Sequence, residues 1–142
     1  MRRTQPVFRR RHFFQGRPIH GSEVKDIYWL KSDGTEMTDA DWHQGHTHCL
    51  GMGLAGEQIT EIGEHGERIA GDSYALIFNA HHEPVHFRLG ARRHDLRWTT
   101  VFDTAAPDAL PQTIEHMGTI LVQARSMVVL RAEFPPATQS RI

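Results

Sequence analysis

The chain is predicted to be all-β, an antiparallel β-sandwich of Greek-key type preceded by a short N-terminal helical remnant. Runs rich in β-branched and aromatic residues recur at short spacing between turn residues through the second half of the sequence. In two of those runs apolar and polar residues alternate, the period of a half-buried strand. No segment carries the apolar period of a long helix, and several antiparallel strands without one pack as two layers of sheet.

Taken in order, residues 1–14 are expected to be the remainder of a helix, stopped by Gly16 and Pro18. Ile27 to Leu30 is a short β-prone run that ends in Ser32-Asp33-Gly34-Thr35, whose Asp-Gly pair signals a turn. Thr38 is placed to cap a helical turn through Trp42, with Asp39 and Asp41 near its positive end. Gly45 to Gly71 holds seven of the twelve glycines and is expected to be loop, with one strand near Gly51 to Leu54 and a hairpin around Glu64 to Glu67. Strands are expected at Tyr74–Ala80, Pro84–Leu89, Leu96–Asp103, Thr119–Val122 and Ser126–Ala132. Val85, Phe87 and Leu89 alternate with His86 and Arg88, and Leu96 and Trp98 with Arg97 and Thr99. The run Ala75-Leu76-Ile77-Phe78 predicts burial on both faces. The division is then 1–26 helix remnant and linker, 27–134 sandwich and, from Pro135, a frayed tail over 135–142.

Composition narrows the function classes. At 142 residues the chain fills one domain and falls well short of the roughly 250 of a complete (β/α)8 barrel. No apolar run approaches the ~20 residues that span a bilayer, so no membrane partner is expected. No apolar signal region follows the basic start, and the lone Cys49 cannot form an intramolecular disulfide; cytoplasm is the expected compartment. Residues 1–25 hold seven basic side chains against Glu23, leaving −7 on the other 117 residues. One short basic arm on an acidic body is too small a footprint for nucleic acid, which is not expected as a partner.

Histidine is the chemical signal of the chain, with eleven in all and His43, His46, His48 and Cys49 packed into seven positions. Imidazole and thiolate suit zinc, and His46 and His48 on an extended segment would share a face. Four ligands from one short loop would be unusual, so no metal site is assigned; His46, His48 and Cys49 stand as candidates, and no cofactor is expected. His81-His82-Glu83-Pro84 sets a base beside an acid, but Pro84 favours the extended or turn geometry of a hairpin there. Gly51-x-Gly53-x-x-Gly56 imitates a dinucleotide fingerprint without the surrounding βαβ unit. Trp98 is expected in the core. Trp29 and Trp42, beside turns, are the candidate platforms for sugar rings.

Three ordered motifs carry a resemblance. They are Phe8-Arg-Arg-Arg-His-Phe-Phe-Gln-Gly, the Asp33-Gly-Thr-Glu-Met-Thr-Asp-Ala-Asp-Trp42 segment, and Asn79-Ala-His-His-Glu-Pro-Val-His-Phe87. Together they resemble the tail of bacterial glycogen debranching enzymes, glycoside hydrolases of the α-amylase superfamily. The resemblance implies a C-terminal sandwich that follows a catalytic barrel. It also implies hydrolysis of α-1,6 branch linkages in glycogen by barrel carboxylates that this sequence does not contain, so no catalytic residue is assigned here. A sandwich supporting an absent barrel is the leading expectation, with an independent module for glycogen or maltooligosaccharide, or a small metal-binding β protein, as alternatives. Met1 reads as a cut through a barrel helix, and Phe8, Phe13 and Phe14, stripped of their cover, are expected to drive homodimerisation.

Overall fold

The computed structural model describes residues 1–18, 25–56, 62–67, 69, 71–90, 96–115 and 117–133. The strands are β1 (Ile27–Leu30), β2 (Cys49–Leu54), β3 (Tyr74–Asn79), β4 (Val85–Arg88), β5 (Arg97–Asp103), β6 (Thr113–Ile114), β7 (Thr119–Val122) and β8 (Ser126–Glu133). A single short helix, α1 (Asp39–Trp42), lies between β1 and β2. Six strands form one antiparallel sheet in the order β1-β2-β3-β8-β5-β6, and β4 pairs with β7 in a second. The chain thus crosses between layers four times, after β3, β4, β6 and β7, so that β3 and β8 pair in one sheet and β4 and β7 in the other.

The core lies between the layers. Phe87, Leu89, Ile120 and Val122 of the small sheet and its flank meet Ala75, Ile77, Val128, Leu130 and Trp98 of the large one, all buried. The alternation in β4 holds: Phe87 is fully buried between exposed His86 and Arg88. β3 is less symmetric than its apolar run predicts, because Ala75 and Ile77 face the core while Leu76 and Phe78 are half-buried on the outer face. Gly51 and Gly53 owe their lack of a side chain to aromatic packing, not to a phosphate. A Cβ at Gly53 would stand 1.9 Å from Cζ of Tyr28, and one at Gly51 2.7 Å from Cζ of Phe87.

The outer face of the large sheet carries a second cluster built on the N-terminal arm. Val7 is buried against Leu54, Tyr74 and Val129, and the ring of Phe8 lies 4.9 Å from that of Tyr74. The expected helix over 1–14 reduces to a three-residue 3-10 turn, Pro6–Phe8. From there the arm follows its contacts instead of a helical period. The carboxylate of Asp26, 3% exposed, accepts the amides of Gln15 and Gly16 at 2.8 Å and its neighbour Ile27 at 2.9 Å. Of the three phenylalanines expected to be bare, Phe8 packs on Tyr74 and Phe14 lies beneath the Arg10 guanidinium at 4.3 Å. Only Phe13 is left open, at 94% exposure. The tail from Pro135 lies outside the described residues.

Candidate functional site: the cavity between the 43–49 loop and the 81–85 turn

Two segments far apart in sequence meet at one end of the sandwich because of strand register. β2 and β3 are antiparallel with Cys49 opposite Asn79, and the amide of Ala80 extends the ladder by donating to the carbonyl of His48 at 2.8 Å. His48 thereby comes beside His81, their rings 5.7 Å apart. A cavity of about 430 Å³ opens there, walled by His46, His48 and Cys49 on one side and His81, Glu83 and Val85 on the other.

The turn at 81–83 is held from below by a buried side chain. Asn79, 2% exposed, accepts the His81 amide through Oδ1 at 2.9 Å and donates through Nδ2 to the carbonyls of Glu83, Val122 and Gln123 at 3.0 to 3.2 Å. The Arg125 amide fixes the His81 carbonyl at 3.1 Å. Above this base the His81 and His82 rings stack at 4.3 Å, and Nε2 of His82 lies 3.7 Å from Oε1 of Glu83. One ligating atom from each of His81, His82 and Glu83 falls within 4.8 Å of the others.

The candidates named from the sequence separate. His46 and His48 both reach the cavity, whereas His43 is engaged elsewhere, its Nδ1 2.6 Å from the carbonyl of Asp39, the first residue of α1. Cys49 begins β2 and is buried, and burial pushes its thiol up to about 11. It is a protonated core residue at neutral pH. From sequence alone His81 to Glu83 reads as a hairpin, and the 43–49 loop stands as a separate candidate. What joins them is the β2–β3 register, which the spacing of Cys49 and Asn79 from the intervening turn does not reveal.

Trp29 and Trp42 are brought together, ring centroids 5.4 Å apart and nearly perpendicular at 79°. The Asp33-Gly34 turn does this. Its chain doubles back so that the Met37 amide donates to the Trp29 carbonyl at 2.9 Å, and α1 then lays Trp42 against Trp29. The helical turn itself starts in a full capping box, with the Asp41 amide donating to Thr38 Oγ1 at 3.3 Å and the Thr38 amide to the Asp41 carboxylate at 2.8 Å. These bonds from Thr38 hold the Asp41 carboxyl below the usual range, with Lys31 3.5 Å away adding to the effect.

Fold and cavity together define the class, a small antiparallel β-sandwich domain. The chain belongs to the isoamylase C-terminal domain family, whose family model ("Isoamylase, C-terminal") matches residues 26–131. It is 43% identical over 133 residues, 92% of this chain, to the "Glycogen operon protein GlgX homolog" of Mycobacterium tuberculosis, and equally so to that of Mycobacterium bovis. An "Isoamylase" of Flavobacterium sp is 24% identical over 145 residues, covering 93% of the chain. The chain spans less than a fifth of the length of these relatives, 18% and 17% respectively. Among the described residues no helix is long and apolar enough to cross a membrane.

Proposed function

We propose that this chain acts as the supporting C-terminal sandwich of a cytoplasmic glycogen-debranching hydrolase, catalytically silent by itself, with the α-1,6 bond cleaved by carboxylates of a barrel domain. The observation that carries this reading is the 43% identity, sustained over 92% of the chain, to a protein named for the glycogen operon. Three of the described acids bear on it. A glycosidase needs one carboxyl held protonated near a second. Asp26, Asp33 and Asp41 are all shifted the other way, below the ordinary carboxylate range. In this reading the arm of residues 1–18 carries the barrel, and the anchoring of its Gln15 and Gly16 amides by Asp26 sets the angle between the two.

Two assays test it. Purified chain incubated with a phosphorylase-limit dextrin is expected to release no reducing ends. Exchanged for the matching segment of the mycobacterial relative, it is expected to preserve that enzyme's activity. Release of reducing ends by the chain alone overturns the reading.

A second reading, direct glucan binding, is favoured by the Trp29–Trp42 pair. Trp42 stands nearly perpendicular to Trp29 and is 48% exposed, and sugar C–H faces pack on exposed indole surface. Retardation in a glycogen-containing native gel that is lost in Trp42→Ala is the expected result, and equal mobility with and without glycogen excludes it. Self-association in this proposal rests on Phe13, and sedimentation of Phe13→Ser at high concentration would report it as a shift toward monomer.

A further inference from the structure

We propose that the 81–83 turn binds one divalent transition-metal cation, with His81, His82 and Glu83 as ligands and His48 supplying the fourth position from the neighbouring strand end. Two imidazoles with a carboxylate form a donor set that suits zinc and its late first-row neighbours, and disfavours calcium and magnesium, which take oxygen ligands. The three ligating atoms lie within 4.8 Å of one another. Ligands about 2.1 Å from a tetrahedral zinc stand roughly 3.4 Å apart, so the widest separation in the group must contract by up to about 1.4 Å.

The contraction falls on the parts free to move. His82 and Glu83 side chains are each 69% exposed and can change rotamer without disturbing the core. Their backbone, by contrast, is fixed by the buried Asn79 amide on both sides of the turn and by Arg125. His81 also has to rearrange. Its Nδ1 accepts the Glu83 amide at 3.0 Å, so the neutral ring carries its proton on Nε2. Turning that ring over presents a lone pair outward and leaves the Glu83 amide, at an exposed residue, to bond water. His48, its ring 5.7 Å from that of His81 across the cavity, closes the shell from a second segment. This draws ligands from two segments joined by the β2–β3 register, where the 43–49 loop alone would have to supply all four.

The test is calorimetric titration of the untagged chain with zinc chloride, with ring-nitrogen NMR to locate the ion. One equivalent is expected to bind, moving the imidazole resonances of His48, His81 and His82. His82→Ala and Glu83→Gln are each expected to weaken binding by roughly tenfold or more, and His46→Ala to leave it unchanged. All three altered residues are exposed, and matching circular dichroism confirms that the variants fold. Absence of saturable binding, unchanged affinity in His82→Ala, or resonance shifts confined to His43 and His46 would each overturn the assignment.

Discussion

Arg10 Nη1 lies 3.2 Å from Asp26 Oδ2, and the two side chains are only 6% and 4% exposed. This is the buried ion pair that fastens the N-terminal arm to the start of β1. The carboxylate also gathers three backbone amides, so its removal orphans more donors than removal of the guanidinium does. Asp26→Ala is therefore expected to cost about 3 kcal/mol or more, and Arg10→Ala about 2 kcal/mol because Asp26 keeps its amides. Urea unfolding measures both. No cost in either variant would show that the arm is not secured here, and equal costs would show that the three amides add nothing beyond the ion pair.

The same carboxylate gives the domain an acid limb. Burial pushes the Asp26 carboxyl up, but the amides of Gln15, Gly16 and Ile27 and the Arg10 guanidinium outweigh it, leaving the group below its ordinary 3.8. A depressed folded-state value adds stability above the unfolded value, and that stability is lost as pH falls through the folded one. The stability gap between wild type and Asp26→Asn is thus expected to be full at pH 5 to 7 and to narrow below about pH 4. A gap constant down to pH 2 would contradict it.

How much of this was legible in the sequence depends on the range of the contacts involved. α1 was readable because Thr38 and Asp41 cap it within one turn, and β4 because Phe87 needs only its neighbours to show alternation. The arm was misread as a helix. Its path is dictated by side-chain contacts, with Asp26 just past the arm and with Tyr74 far along the chain, and neither leaves a mark on a helical period. β6, two residues long, carries no periodicity, and it exists because Ile114 pairs with Trp98. The cavity escaped for the same reason: His48 and His81 are 33 positions apart, and only strand register makes them neighbours.

Gly53 is the tightest test of the core. A Cβ there meets the Tyr28 ring at 1.9 to 2.4 Å, and the ring, 8% exposed, has little room to withdraw. Gly53→Ala is expected to destabilise by about 1–3 kcal/mol through overpacking. In a Tyr28→Leu background the same change is expected to cost less, since the clash is gone, so the double-mutant cycle should show strong coupling. Additive effects would place the glycine's importance elsewhere.

Cys49 gives the domain an alkaline limb at the opposite end of the pH scale. Burial alone lifts its thiol from 9.0 to about 11, so the folded domain holds it protonated where the unfolded chain does not. At pH 8 the thiol is expected to resist an aromatic disulfide reagent in the folded domain and to react within the mixing time in urea, because only the thiolate attacks. A raised folded-state value also confers stability that is complete below the unfolded pKa and drains away as pH climbs from about 9 toward 11. Cys49→Ala, which has no thiol to ionise, is expected to show a shallower alkaline loss than wild type in urea titrations across that window. Rapid labelling of the folded protein at pH 8, or parallel alkaline limbs for the two proteins, would mean that the β2 end is open to solvent.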